Sequence, residues 1–282
     1  MAGHRDLMAV LPDGGVDLCV SSPPYCMGKA YEKSYSVYDF ERDHKEIAPA
    51  LISKIKPEGS LCWQVGSHVR RGTLVPLDFI AHGVFGGLGG LVLRNRIVWQ
   101  FGHGMHEQRR FSGRHETVLW YTKGDGYTFN LDAVRVPQKY PGKRSYRGPR
   151  KGEYSGNPRG KNPADVWDIP NVKANHVEKT GHPCQFPVAL AQRLIRALTN
   201  PRALVFDPFA GVASTGIAAL ADNRRFIGAE TSAKYVKLAE ERYRRFLCGD
   251  HVFRSIELAV HIPKGTESVS RKPDHFLWRI ES

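Results

Sequence analysis

The sequence predicts an α/β protein with a mostly parallel sheet and helices on both faces. Three observations carry this. Short apolar runs alternate with amphipathic stretches along most of the 282 residues, a length that buries one sizeable core plus a modest insertion. The run Ala203–Phe206 leads into Asp207, a tight turn at Gly211 and a small-residue helix to Ala221. A further strand-like run, Arg225–Ala229, ends at Glu230, at the spacing used by strand–turn–helix nucleotide sites.

The elements follow in order. Residues 16–20 (Val-Asp-Leu-Cys-Val) read as a buried strand entering a loop at Ser22. Asp39–Ile55 predicts a helix, closed by Lys56-Pro57-Glu58-Gly59, and Ser60–Val65 a second strand. Leu74–Phe85 predicts a helix, broken by Gly86-Gly87 and Gly89-Gly90. Arg94–Phe101 and Glu116–Thr122 are rich in β-branched and aromatic residues and read as strands. Pro187 is suited to a first helical position, and Val188, Ala191, Leu194, Ile195 and Leu198 make one apolar face. Ser232–Phe246 predicts the last helix, with Tyr235, Leu238, Ala239, Tyr243 and Phe246 inward and Glu240–Arg244 and Glu241–Arg245 as i,i+4 pairs. Phe253–Ile262 reads as a strand in the tail.

Lys and Arg number 41 against 28 Asp and Glu, a formal net charge of +13. That balance suits a polyanion, nucleic acid above all, though charge alone does not separate this from an anionic membrane surface. The five cysteines have no paired spacing, which fits reduced thiols and a cytoplasmic protein. No apolar stretch is long enough to span a membrane. His176, His182 and Cys184 lack a second ligand pair at zinc spacing, so no metal is expected. Arg135–Lys161 carries nine Lys/Arg and one acid, Glu153, interleaved with Tyr140, Tyr146 and Tyr154 and with no hydrophobic period.

Two loops carry the chemistry. At the Gly211 turn, helix N–H groups and an uncrowded backbone can meet a nucleotide-like ligand, and Glu230 can accept from both ribose hydroxyls. The first loop is Ser22-Pro23-Pro24-Tyr25. Ser22 Oγ and the Pro23 carbonyl can accept from an amine, Pro24 stiffens the loop, and Tyr25 can stack on a ring. Either loop alone is an ordinary turn in many folds; the pair in this order is informative.

Ser22-Pro23-Pro24-Tyr25 followed by Asp207-Pro208-Phe209-Ala210-Gly211 resembles the catalytic and cofactor loops of the S-adenosylmethionine-dependent DNA amino-methyltransferases, in the order of their β group. The resemblance implies a Rossmann-like methyltransferase fold with a mostly parallel seven-stranded sheet, S-adenosylmethionine as methyl donor, and a flipped base as acceptor. It implies cofactor roles for Asp207, Pro208, Phe209, Gly211, Ser214, Thr215 and Glu230, and for His182, Cys184 and Gln185 in a third segment. Asp6, in Asp6–Asp13, resembles the acid that approaches the adenine of the donor. Ala213 stands where the family usually has glycine, tolerable at negative φ. Gly28–Glu32 continues the resemblance. Ser at the first motif position is typical of cytosine-N4 enzymes. Asp165–Val172 and Glu178–Thr180 instead resemble a β-group subset that includes adenine enzymes reading GTTAAC-like palindromes and that also carries Ser in the catalytic motif, which favours adenine N6, with cytosine N4 as the alternative. A non-catalytic DNA-binding or cofactor-sensing relative is the more distant one.

The expected organisation is a catalytic part, 1–93; strands plus a basic target-recognition insert, 94–161; a cofactor part, 162–248; and an extension, 249–282. Double-stranded DNA is the expected partner of Lys29, Arg109, Arg110, Arg114, Lys139, Lys143, Arg144, Arg147, Arg150 and Lys151. A palindromic site further implies a homodimer.

Overall fold

A computed structural model describes residues 3–26, 35–102, 104, 106–173, 175–250, 253–258, 260, 264 and 267. In chain order the elements are α1 (His4–Val10), β1 (Val16–Ser21), α2 (Val37–Lys54), β2 (Ile55–Val65), β3 (Ser67–Arg70), β4 (Thr73–Pro76), α3 (Leu77–Gly87), β5 (Val92–Gln100), β6 (His115–Thr122), β7 (Val166–Asp168), α4 (Val188–Leu198), β8 (Leu204–Asp207), α5 (Ser214–Ala221), β9 (Arg225–Gly228) and α6 (Ala233–Leu247). Seven strands form one sheet in the order β7-β5-β6-β2-β1-β8-β9. Pairing is parallel except where β6 meets β2 and β5. This is the α/β class expected from the alternating pattern. β3 and β4 make a separate hairpin.

Side-chain alternation builds two cores. Leu18, Val20, Cys62, Val118 and Trp120 face α4 and α5. Val16, Cys19, Leu61, Trp63, Leu119 and Tyr121 face α2 and α3. Because both faces are covered, the central strands are apolar at nearly every position. Gly216 sets the closeness of α5 to its neighbours: a Cβ there would fall 2.7 Å from the Phe226 ring and would collide with the Tyr243 hydroxyl.

Several local expectations are revised. The helix predicted from Leu74 begins at Leu77, because Thr73–Pro76 pairs with Ser67–Arg70 and Pro76 takes the N-cap. Lys56–Gly59, expected to close the helix ahead of the strand, instead lies within β2 as an irregularity, where the register moves from Val16–Ile55 to Leu18–Ser60 with Glu58 at φ 67°. Pro187 is the N-cap of α4 rather than its first residue. Arg244 pairs with Glu241 and Arg245 with Asp250, in place of the two i,i+4 pairs. Of the strand predicted over 253–262, residues 253–258 form bends and a turn, and 259, 261 and 262 lie outside the described residues. Among the described residues, no helix is long and apolar enough to cross a membrane.

Candidate functional site

The site lies beyond the carboxyl ends of β1 and β8. These adjacent parallel strands are where the connections leave in opposite directions, the usual place for a ligand crevice in such sheets. A cavity of about 330 Å³ opens there. Ser22, Pro23, Pro24 and Tyr25 line it from the β1 loop; Pro208, Phe209, Gly211 and Ser214 from the β8 loop; His182, Cys184 and Gln185 from the segment before α4; and Glu230 from the end of β9. Segments more than 180 residues apart in sequence thus converge on one space, and one hydrogen bond ties their roots: Ser21 Oγ donates to Asp207 Oδ1 at 2.5 Å.

Asp207 is fully buried and does not line the cavity. It accepts from Ser21, from Thr215 Oγ1 at 2.7 Å and from the Phe209 amide at 3.0 Å. Burial pushes its carboxyl up to about 6, against the pull of these three donors. Its work is to brace the turn. Thr215 is fully buried with its hydroxyl committed to Asp207, so it does not reach the cavity. Ser214 Oγ faces Arg242 at 3.3 Å. Asp6 does not line the cavity either: as the third residue of α1 it accepts from the Gly3 amide at 3.1 Å, and its neighbour His4 reaches the wall.

Gly211 sits at φ 52°, and a Cβ there would lie 3.3 Å from His182 Nε2. The backbone is therefore bare where a ligand would approach. Ala213 also has positive φ, 58°, and caps α5 in the left-handed region. The negative φ expected for it is not found; the turn keeps a glycine geometry that costs an alanine about 1–2 kcal/mol.

Glu230 Oε1 accepts from the Ser232 amide at 2.7 Å, leaving Oε2 for a ligand among the described residues. His182 Nδ1 accepts from the Cys184 amide at 3.2 Å, and its ring packs edge-on to Tyr235 at 4.4 Å. Burial, then Lys179 and Arg242, lower it to about 4, so it is neutral at pH 7. Gln185 is held at both ends, accepting from Thr180 Oγ1 and donating to the Glu178 carbonyl, each at 2.8 Å. Among the described residues no group of three or more His, Cys, Asp or Glu is arranged to hold a metal ion.

Two polar clusters escape sequence reading. In the first, Arg242 on α6 donates to the Val212 carbonyl and Ser214 Oγ. Its other nitrogen faces Glu178 Oε2 at 3.9 Å. Glu178 accepts from the Val188 amide at 2.9 Å and the Arg254 amide at 3.2 Å. This pair fastens the turn at Val212–Ser214 to the start of α4 and to Arg254. In the second, Glu116 on β6 accepts from Tyr25 Oη at 3.3 Å and Gln64 Nε2 at 2.6 Å. A charged residue inside an amphipathic helix or strand was the available signal for both.

Of the expected DNA contacts, Lys29 lies outside the described residues. Arg109 is exposed, Arg110 pairs with Glu107 at 2.6 Å, and Arg114 donates to the Gly113 carbonyl. Lys139, Lys143, Arg144, Arg147, Arg150 and Lys151 are all exposed. Their segment is pinned by bridges Val136–Lys161 and Arg144–Tyr154, with Arg144 stacked over the Tyr154 ring at 4.2 Å.

Residues 16–241 match the N6_N4_Mtase family model, described as DNA methylase. The chain is similar to the type II methyltransferase M.BglII of Bacillus subtilis, with 44% identity over 83% of this chain and 65% of that protein, somewhat less than two thirds of its length. It is also similar to the DNA adenine methyltransferase YhdJ of Escherichia coli (strain K12), at 30% identity over 95% of this chain and 90% of the relative. Among solved structures, the PvuII DNA methyltransferase (cytosine-N4-specific) shares the fold at a TM-score of 0.70 and 20% identity, covering 86% of this chain and 84% of that one. TTHA0409 of Thermus thermophilus, a putative DNA modification methylase solved with S-adenosyl-L-methionine, is similar at a TM-score of 0.60 and 26% identity over 88% and 95%.

Proposed function

Because this chain belongs to the N6/N4 DNA methylase family, we propose that it transfers a methyl group from S-adenosylmethionine to the exocyclic amine of a base flipped out of double-stranded DNA. The observation that carries this reading is one cavity walled by both the Ser22–Tyr25 loop and the Gly211 turn. The residues present fit the donor: the bare turn at Gly211 and the Glu230 carboxylate oxygen left over from the Ser232 amide support nucleoside binding there. Bound S-adenosylmethionine supplies a sulfonium-activated methyl group. The protein's part is positioning. Ser22 Oγ and the Pro23 carbonyl accept the two amine hydrogens, which favours a pyramidal nitrogen with an available lone pair. Tyr25 stacks on the flipped ring, and Glu230 holds the ribose hydroxyls. Incorporation of label from methyl-labelled donor into DNA tests the reaction.

Adenine N6 is the acceptor favoured by the Asp165–Val172 resemblance and by the similarity to YhdJ. Cytosine N4 is the second reading, favoured by Ser22 itself. We further propose that the site is a short palindrome read by a homodimer, with 94–161 as the DNA-reading part; light scattering of the protein free and on DNA reads the assembly state.

Two results are expected. Glu230→Ala weakens donor binding by about 10- to 100-fold, the loss of hydrogen bonds to a charged acceptor, with little change in DNA affinity measured without donor. Calorimetry reads this; unchanged donor affinity would remove Glu230 from the cofactor site. Neutralising Lys143, Arg144, Arg147 and Arg150 together flattens the salt dependence of DNA binding by up to roughly four counterions and leaves donor binding intact. A wild-type slope would mean that the phosphates are met elsewhere.

A further inference from the structure

Glu116 occupies a position that catalysis by the Ser22–Tyr25 loop does not explain. It lies on β6, opposite Trp99 of β5, and its carboxylate points at the aromatic residue of the loop. Three elements converge on it. Tyr25 Oη donates to Oε1 at 3.3 Å, Gln64 Nε2 from the end of β2 donates to Oε2 at 2.6 Å, and Gly66 lies so close that a Cβ there would fall 3.0 Å from Tyr25 Cε2 and 3.2 Å from Glu116 Oε1. Tyr25, Gln64 and Glu116, with Trp99, Phe101 and Lys173, wall a cavity of about 110 Å³ that shares Tyr25, Cys184, Gln185 and Phe186 with the site described above. Gln64 Oε1 is buried there without a hydrogen-bond partner among the described residues.

We infer that Glu116 is a positioning residue that, as a carboxylate, fixes the Tyr25 ring for stacking on the target base. The inference rests on the proposed methyl transfer. Its chemistry follows from the surroundings. The groups facing the carboxyl are Tyr25 from the catalytic loop, Gln64 from β2, Lys173 from the loop after β7 and Cys184 from the segment before α4. Burial raises Glu116 to about 7, opposed by the Tyr25 and Gln64 hydrogen bonds and by the charge of Lys173. As pH falls through 7 the carboxylate gains a proton, the charge-assisted bonds from Tyr25 and Gln64 weaken, and a carboxyl hydrogen must find an acceptor where both neighbours now donate. As pH rises through 7 the hold is restored.

The test is the pH profile of single-turnover methylation at saturating donor for the wild type, Glu116→Gln and Tyr25→Phe. The wild-type rate is expected to fall roughly three- to fivefold from pH 8 to pH 6. Glu116→Gln, neutral at every pH, is expected to be flat near the acid-side wild-type rate. Tyr25→Phe keeps the ring, lacks the hydroxyl, and is expected to be flat as well. A wild-type acid limb that persists in either variant would overturn the positioning role, and so would a flat wild-type profile. Absence of methyl transfer by the wild type at any pH would instead overturn the proposed reaction, and the inference with it.

Discussion

Ser22→Ala is expected to lower kcat by about 10²–10³-fold, the scale of losing one preorganised polar contact at a reacting atom, while donor affinity stays within a few-fold of wild type. The asymmetry follows from the position of Ser22. Ser22 lines the cavity from the β1 loop, as the Gly211 turn does from the β8 loop, and in the proposed reaction it serves the acceptor amine rather than the donor. Its neighbour Ser21, not Ser22, makes the bond to Asp207 that braces the turn. Ser21→Ala should therefore act differently: it frees one side of a buried carboxylate and weakens donor binding and stability together. Single-turnover kinetics with calorimetric donor affinities separate the two. Equal loss of donor binding in Ser22→Ala would place that hydroxyl in the cofactor site.

The second large effect is on stability. Arg242→Ala is expected to cost about 3–5 kcal/mol, read as a shift in the urea midpoint, because it leaves Glu178 buried without its counter-charge and frees the Val212 carbonyl. Burial raises the Glu178 pKa and lowers that of Arg242, so each partner is displaced toward its neutral form and desolvation is the leading cost for both. The sign of the pH effect follows. A buried acid with a raised pKa gains no stability on ionising, so this pair is no source of acid denaturation. Combining Arg242→Met with Glu178→Gln should cost less than the sum of the single changes, since no charge is then left alone. A strictly additive double variant would mean that the two groups act independently.

What the sequence made legible was local. Ser22–Tyr25 and Asp207–Gly211 are contiguous loops at strand ends, so their residue types and spacing announce what they can do, and the structure brings all but Asp207 of these residues to one cavity. Roles that depend on distant partners were not legible. Glu116 lies 91 residues from Tyr25, and Glu178 is fixed by amides on two other segments, so neither could be distinguished from a solvated charge. Asp6 and Thr215 illustrate the opposite limit. Both have side chains suited to a ligand, but a short polar group near a helix start finds a nearer partner first: the Gly3 amide for one and the Asp207 carboxylate for the other. Leu74–Pro76 reads as helix for a related reason, since a four-residue hairpin strand carries too little pattern to outweigh the apolar face of the helix that follows.

The central claim is that one cavity joins a methyl donor to the amine of a DNA base. Mass spectrometry of nucleosides, from DNA incubated with S-adenosylmethionine and either the wild type or Ser22→Ala, tests it most directly. The expected result is N6-methyladenine, or N4-methylcytosine under the second reading, in the wild-type sample and a loss of at least roughly a hundredfold in the variant. Donor binding by calorimetry with no methylated nucleoside from any DNA offered, or an undiminished yield from Ser22→Ala, would contradict it.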